Sequence, residues 1–371
     1  MTGTLPAYGT VGLAVIGCGT VGRIRAMLAR EYPGIGWLGL CDIDEPTLKG
    51  LADDARADFA TTHIGELLAR PEVGAVIVAT DEREHVDPIL RSVELGVPLF
   101  IEKPLATDPV DSARVLAAID DAGVDAVVGY TQRFRRRFQT VKQRLRDGQI
   151  GDVTTVITRA LMNRMVPEAT LRKVTNTVGL TPMVVSGTHS LDMCMWLLNP
   201  RSPVEVYARS TDRTLGPIGT KDGTSGIFTM DDGVVFSMNI NWALPTVWPG
   251  AVYGLEIGIV GTRGVIDVED THRDVILASE VGQPAGYTSR GFAPPMARHV
   301  DFIGSYPPGD VSDGMLWGPM REETTTWFAR VCRGIERKRS RSTRRPRTSV
   351  RPTRCGISPI STSPALSLIH I

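Results

Sequence analysis

The chain has 371 residues, 42% hydrophobic and 22% charged, which suits a soluble protein of two domains and leaves no apolar run long enough to span a bilayer. Formal net charge is zero, but residues 331–371 hold nine Arg and one Lys against one Glu, so the body before them is acidic, with 31 basic and 40 acidic side chains; this argues against a nucleic-acid function for the folded part. Five cysteines (18, 41, 194, 332 and 355) without CxxC spacing, and an N-terminus without the basic start and apolar core of a signal peptide, fit a reducing cytoplasm and exclude a disulfide scaffold.

The first ordered element is a short apolar strand, Val11–Ile16, that enters Gly17-x-Gly19-x-x-Gly22 and continues as a helix over Thr20–Arg30. Gly17 permits the tight turn, Gly19 leaves room for a pyrophosphate, and Gly22 lets helix and strand approach closely, while the helix N-terminus offers amides to the phosphates. Gly17, Cys18, Gly19, Thr20, Val21 and Gly22 are therefore the expected lining of a dinucleotide site. A second strand, Trp37–Cys41, ends at Asp42, 20 residues after the last glycine, where a carboxylate for a ribose diol is expected.

Next come a helix reaching about Arg56, a short strand Phe59–Thr61, a small helix Ile64–Leu68, a strong strand Val73–Ala79 and a helix Glu84–Glu94. A strand Pro98–Ile101 runs into Glu102-Lys103-Pro104; a helix Pro109–Ala122 and a strand Val124–Val128 complete the alternation. Strands alternating with helices predict a parallel sheet covered on both faces. After Gly129 the texture changes. A basic helix, Phe134–Asp147, precedes longer alternating segments at Val153–Ala160, Val204–Arg209, Gly226–Met230, Val234–Ile240, Tyr253–Val260 and Val265–Val268, interrupted by a helix over Gly187–Leu198. Turns at Asp231-Asp-Gly233 and Gly261-Thr-Arg-Gly264 predict antiparallel hairpins.

Residues 312–334 read as a terminal helix with Met315, Leu316, Trp327, Phe328 and Val331 apolar. From Arg337 the chain turns Arg/Ser/Thr/Pro-rich and loses periodicity, which reads as a disordered tail capable of nonspecific contact with polyanions. Its composition differs so much from the body that a displaced reading frame or abnormal terminus is expected, to be checked by sequencing the encoding DNA.

Lys103 follows a parallel strand at its carboxyl end, where open α/β sheets place ligands. It can give a proton to a carbonyl oxygen or take one from a hydroxyl; by position alone a solvated lysine is the alternative. Glu102 can orient a cofactor or tune the lysine. His189, in Gly187-Thr-His-Ser-Leu-Asp192, shares a helix face with Asp192, the alternative being a histidine in a helix-start network. No tight ligand spacing supports a metal site.

The glycine turn, Glu102-Lys103-Pro104, Gly129-Tyr-x-x-Arg133-Phe134 and Gly187-x-His189-x-x-Asp192, in this order over residues 8 to 335, together resemble the Gfo/Idh/MocA family. The resemblance implies an α/β fold: an N-terminal Rossmann parallel-sheet domain over 8–130, and over 131–335 a substrate-binding, oligomerising α+β domain on a large, mostly antiparallel open sheet, followed by the tail 336–371. It implies a homodimer or homotetramer, without membrane association, that transfers hydride between NAD(H) and a hydroxyl or carbonyl of a sugar, cyclitol or small polyol. In that mechanism Lys103 is the acid/base, His189 contacts the reacting oxygen, and Glu102, Thr80 and His85 lie on the cofactor side. Asp42, followed by Ile43 and not by an arginine, implies NAD over NADP. Tyr130, Arg133, Arg164 and Thr188 are the implied substrate contacts. Two departures stand out. Val185 occupies the position, four before the histidine, where many relatives carry Asp, so the relay rests on Lys103 and His189 or recruits Tyr130, Arg133, Arg164 or Lys173. Asp81-Glu82 stands where Pro-Asn is common. The alternatives are an NAD-dependent lyase or glycoside hydrolase working by transient oxidation, and a catalytically inactive nucleotide-binding scaffold or sensor.

Overall fold

Alternating strands and helices fill the first third of the chain, as the apolar runs and glycine turns require. In the computed structural model, which describes residues 10–171, 174, 176–246, 248, 254–269, 275–277, 301–303, 309–312 and 314–342, they are β1 (Val11–Ile16), α1 (Thr20–Glu31), β2 (Ile35–Cys41), α2 (Glu45–Ala55), β3 (Phe59–Thr61), α3 (Ile64–Leu68), β4 (Val73–Val78), α4 (Val86–Glu94), β5 (Leu99–Glu102), α5 (Pro109–Ala122) and β6 (Ala126–Gly129). The six strands are all parallel, in the order β3-β2-β1-β4-β5-β6. This order places a switch point at β1, where successive connections leave in opposite directions and open a crevice at the strands' carboxyl ends. Interior residues of β1, β4 and β5 are fully buried, which accounts for their unbroken apolar sequences.

Local chemistry sets the helix boundaries. Asp44 accepts from Thr47 N to cap α2, and Asp108 accepts from Val110 N to cap α5, with Pro109 in its first turn and Gly123 at φ 61° beyond its end. The helix expected from Glu84 starts at Val86 instead. A 3₁₀ turn at Glu82–Glu84 comes first, capped by the Asp81 side chain.

The second unit comprises residues 130–321. Its elements are α6 (Arg136–Arg146), β7 (Val153–Asn163), α7 (Met165–Leu171), α8 (Thr188–Leu198), β8 (Pro203–Thr211), β9 (Gly223–Met230), β10 (Val235–Leu244), β11 (Leu255–Gly261), β12 (Gly264–Val268), and the short pairs β13 (Val275–Leu277) with β14 (Asp301–Ile303) and β15 (Asp310–Ser312) with β16 (Met315–Trp317). The main sheet runs β12-β11-β7-β10-β9-β8 and is antiparallel except between β7 and β10. Alternation sorts its faces: Val156, Ala160, Phe236, Met238, Ile240, Ile257 and Ile259 enter the core, while Ile157, Tyr207 and Ile227 are exposed. α8 packs on β7 and β10 and is buried nearly all round, so its sequence shows little polar face.

The last helix, α9 (Pro319–Ser342), corrects two expectations. Met315 and Leu316 lie in β16 and not in the terminal helix, because Gly314 and Gly318, at φ 76° and 104°, bracket a hairpin strand. The boundary at 335 puts this helix in the second domain, yet from Glu322 it belongs to the first unit. There Trp327 meets Phe100 edge-on at 5.5 Å and Phe328 packs on Tyr32. The backbone helix also continues past Arg337, where regular structure was expected to end; the tail from residue 343 lies outside the described residues.

Candidate active site

The glycine turn separates into positions the fold needs and one it does not. A Cβ on Gly17, whose φ is 93°, would lie 2.3 Å from Ala79 O, and one on Gly22 would lie 1.8 Å from Gly17 O. A Cβ on Gly19 would meet nothing within 4 Å. The space at Gly19 is thus open, as a backbone cradle for phosphate requires, and α1 begins there without a side-chain cap on its first-turn amides, those of Thr20 and Val21 among them. The residues present fit a dinucleotide.

Asp42, at the end of β2, braces this turn. Its Oδ2 accepts from Cys18 N at 2.6 Å and its Oδ1 from Asp44 N at 2.9 Å, and each oxygen keeps a further lone pair for a hydroxyl donor. Ile43 beside it is almost fully exposed. Burial, then Asp42 and Cys41, push the Cys18 thiol up to about 12, and burial with Asp42 and Glu66 pushes Cys41 up to about 11, so neither is a nucleophile.

At the ends of β4 and β5 the structure redistributes the expected contacts. His85 is buried, with Nδ1 2.7 Å from Pro104 O and Nε2 3.3 Å from Thr80 O, and so ties the two strand ends together. Burial lowers its pKa, against opposing contributions from Pro104, Glu82, Thr80 and Glu102. Thr80 Oγ1 donates to Glu84 O at 3.1 Å.

Glu102 ends β5 and is buried. Its Oε1 accepts from Arg25 Nε at 2.8 Å, inside a network in which Arg25 reaches Glu323 at 2.7 Å and Thr324, and lies over the Phe100 ring at 4.4 Å. Burial works against the Arg25 charge, but Glu102 and Glu323 outweigh it and hold the guanidinium more firmly protonated than usual. Sequence reasoning missed Arg25, although an arginine on the Gly22-Ala26-Ala29 face of α1 was a visible signal. Lys103 emerges next to this buried network with its side chain 23% exposed and its Nζ 3.9 Å from Glu82 Oε1.

The second unit gathers Tyr130, Arg133, Thr188, His189 and Asp192 into one cluster. Arg133 grips Asp192 with two N–H groups, one of them Nε at 2.8 Å, and its guanidinium lies 5.8 Å from the Tyr130 ring centre. The Tyr130 and Thr188 hydroxyls bond each other at 2.9 Å, and the Tyr130 ring stands edge-on to His189 at 6.0 Å. Burial, with Asp192 adding to it, raises the Tyr130 hydroxyl pKa; burial also raises that of the Asp192 carboxyl, opposed by Arg133. Thr188 is fully buried, and Tyr130 and His189 are nearly so, with the Tyr130 ring walling His189 on one side. Arg164, one residue before α7, pairs with Glu168 of that helix at 3.6 Å, and Lys173 lies outside the described residues. Val185 sits in a π-helical turn, Met183–Gly187, against the apolar core of this unit, which explains a valine there.

The NAD-binding Rossmann-fold model of the oxidoreductase family matches residues 11–130, and the GFO/IDH/MocA C-terminal domain matches residues 138–267. An inositol 2-dehydrogenase 2 from Saccharopolyspora erythraea is 32% identical over 272 residues, covering 70% of this chain and 73% of that protein. An inositol 2-dehydrogenase from Agrobacterium fabrum is 29% identical over 230 residues, covering 58% of this chain and 65% of the relative, so the chain spans just under two thirds of that relative's length. In fold, a crystal structure of scyllo-inositol dehydrogenase from Lactobacillus casei with bound NAD(H) and scyllo-inositol matches with a TM-score of 0.69 at 15% identity, over 89% of this chain and 90% of that one. The open glycine cradle, the parallel sheet that carries it and the second unit's mixed sheet thus have their counterpart in known proteins: the chain belongs to the Gfo/Idh/MocA oxidoreductase family.

Proposed function

We propose that this chain transfers hydride between NAD(H) and a hydroxyl or carbonyl carbon of a sugar, cyclitol or related small polyol. The observation that carries this reading is Lys103, an accessible amine at the carboxyl end of β5, two strands along the sheet from the open Gly19 turn. The inositol dehydrogenases among its relatives support the substrate class. A bound nicotinamide supplies the carbon that accepts or gives the hydride. The chain supplies the rest. The Gly17–Gly22 turn holds the pyrophosphate, and Asp42 accepts from ribose hydroxyls while its charge opposes a 2′-phosphate, which favours NAD over NADP. Lys103 takes the hydroxyl proton in oxidation and returns one to the oxygen in reduction. His189 donates to a substrate oxygen, held by the Tyr130 wall and the Arg133–Asp192 pair. Exposed Ile157, Tyr207 and Ile227 support a homo-oligomer, and Cys18, Cys41, Cys194 and Cys332, none of them in a disulfide, support a cytoplasmic setting.

The test is NADH formation across a panel of cyclitols and sugars. Lys103→Ala should cut kcat by roughly 10²–10⁴-fold while changing NAD affinity little. Unchanged turnover removes Lys103 from the mechanism, and an inactive wild type across the panel removes the substrate class.

A further inference from the structure

The acidic side chains around Lys103 are engaged in different ways. Glu102, its neighbour in sequence, is buried and compensated by Arg25, which also takes Glu323. Asp81 turns onto Arg83, accepting from its backbone amide at 3.2 Å and lying 3.1 Å from its Nε. Glu82 faces the lysine: its Oε1 lies 3.9 Å from Lys103 Nζ, with the two side chains 31% and 23% exposed. That separation brings opposite charges together without a direct hydrogen bond and leaves both groups in reach of water.

The same device places both partners. The 3₁₀ turn Glu82–Glu84 leaves β4, Lys103 leaves the neighbouring β5, and the buried His85 ring joins Thr80 at the first exit to Pro104 at the second. His85 thereby fixes the span across which Glu82 meets Lys103.

We infer that Glu82 is a positioning residue for Lys103: its carboxylate sets the resting place of the ammonium group and accepts the proton that Lys103 exchanges with solvent. Its catalytic consequence rests on the dehydrogenase reading; the ion pair does not. In oxidation the substrate O–H bond breaks as hydride leaves the carbinol carbon, the proton forms a new N–H bond at Lys103 Nζ, and the ammonium then yields a proton to the Glu82 carboxylate or to water bound to it, restoring the neutral amine. In reduction the proton travels the opposite way. Glu82 takes no part in the hydride transfer and acts only through Lys103.

Acetylation of Lys103 at one fixed pH and reagent concentration, quantified on the tryptic peptide by mass spectrometry, reads the pair in the full chain without catalysis. Glu82→Gln removes the group that holds the amine in place, so the labelling rate should change by about two- to fivefold for a partly exposed pair at this separation. Glu82→Asp, which keeps the carboxylate, should recover most of the wild-type rate. In polyol oxidation Glu82→Gln should lower kcat with KM for NAD unchanged. Identical labelling in wild type and Glu82→Gln would overturn the inference. Changed labelling in a chain that oxidises no polyol would keep the pair and reject the dehydrogenase reading. Labelling that changes while an active enzyme keeps its kcat would overturn the relay.

Discussion

Replacing Arg25 by methionine tests the buried network that anchors α9 to the end of β5. Arg25 is fully buried, and it serves two carboxylates, Glu102 and Glu323, that are themselves nearly excluded from water. Its removal takes the guanidinium from both, in a place where water cannot replace it. Removing one partner of a buried ion pair costs about 3–5 kcal/mol, and the loss of a guanidinium shared by two carboxylates puts this variant in that range. Methionine fills much of the vacated volume, so the loss is mainly electrostatic. Denaturant unfolding followed by tryptophan emission is a suitable assay, because Trp327 lies against Phe100, the ring that the Arg25 guanidinium covers. The triple variant R25M/E102L/E323L, which removes all three charges, should regain most of the loss. A single variant losing less than about 1 kcal/mol, or a triple variant no better than the single one, would refute the argument.

Gly19→Ala should leave the thermal midpoint unchanged, since its Cβ meets nothing, yet weaken NAD binding by about tenfold or more in a calorimetric titration; Gly22→Ala should lose stability as well, because its Cβ meets Gly17 O at 1.8 Å. Asp42→Ala should narrow the preference for NAD over NADP measured as a ratio of affinities, and an unchanged ratio would discard the charge argument. His85 has a folded pKa below its ordinary 6.5, so its contribution is complete above pH 6.5 and is lost as pH falls from there toward the lower folded value. Wild type should therefore lose stability more steeply than His85→Asn over that window, by up to about 1.4 kcal/mol per pH unit, as read from midpoints of urea unfolding.

Much of the first unit was legible because its signals are local. The limits of β1, β3, α3 and α5 coincide with those read from apolar runs, Pro109 and the glycine turns, and the parallel sheet followed from their alternation. In the second unit alternation and turn residues indicated a largely antiparallel sheet. The β7–β10 parallel pair was not legible, since strand neighbours far apart in sequence leave no periodic trace. The same limit governed the site. Gly17 to Gly22, Asp42, Lys103 and His189 could be singled out because chemistry and spacing are written within a few residues of each. The partners of Glu102 are Arg25, 77 residues away, and through it Glu323, 298 residues from Arg25, and no local pattern joins them. The sequence by itself determined the cofactor turn, the alternating parallel sheet and the types of group available for proton transfer. Only the tertiary structure decided that α9 completes the first unit, that His85 and Glu102 are committed to buried partners, and that Glu82 faces Lys103, because burial and long-range charge pairing depend on which distant segments the fold brings into contact.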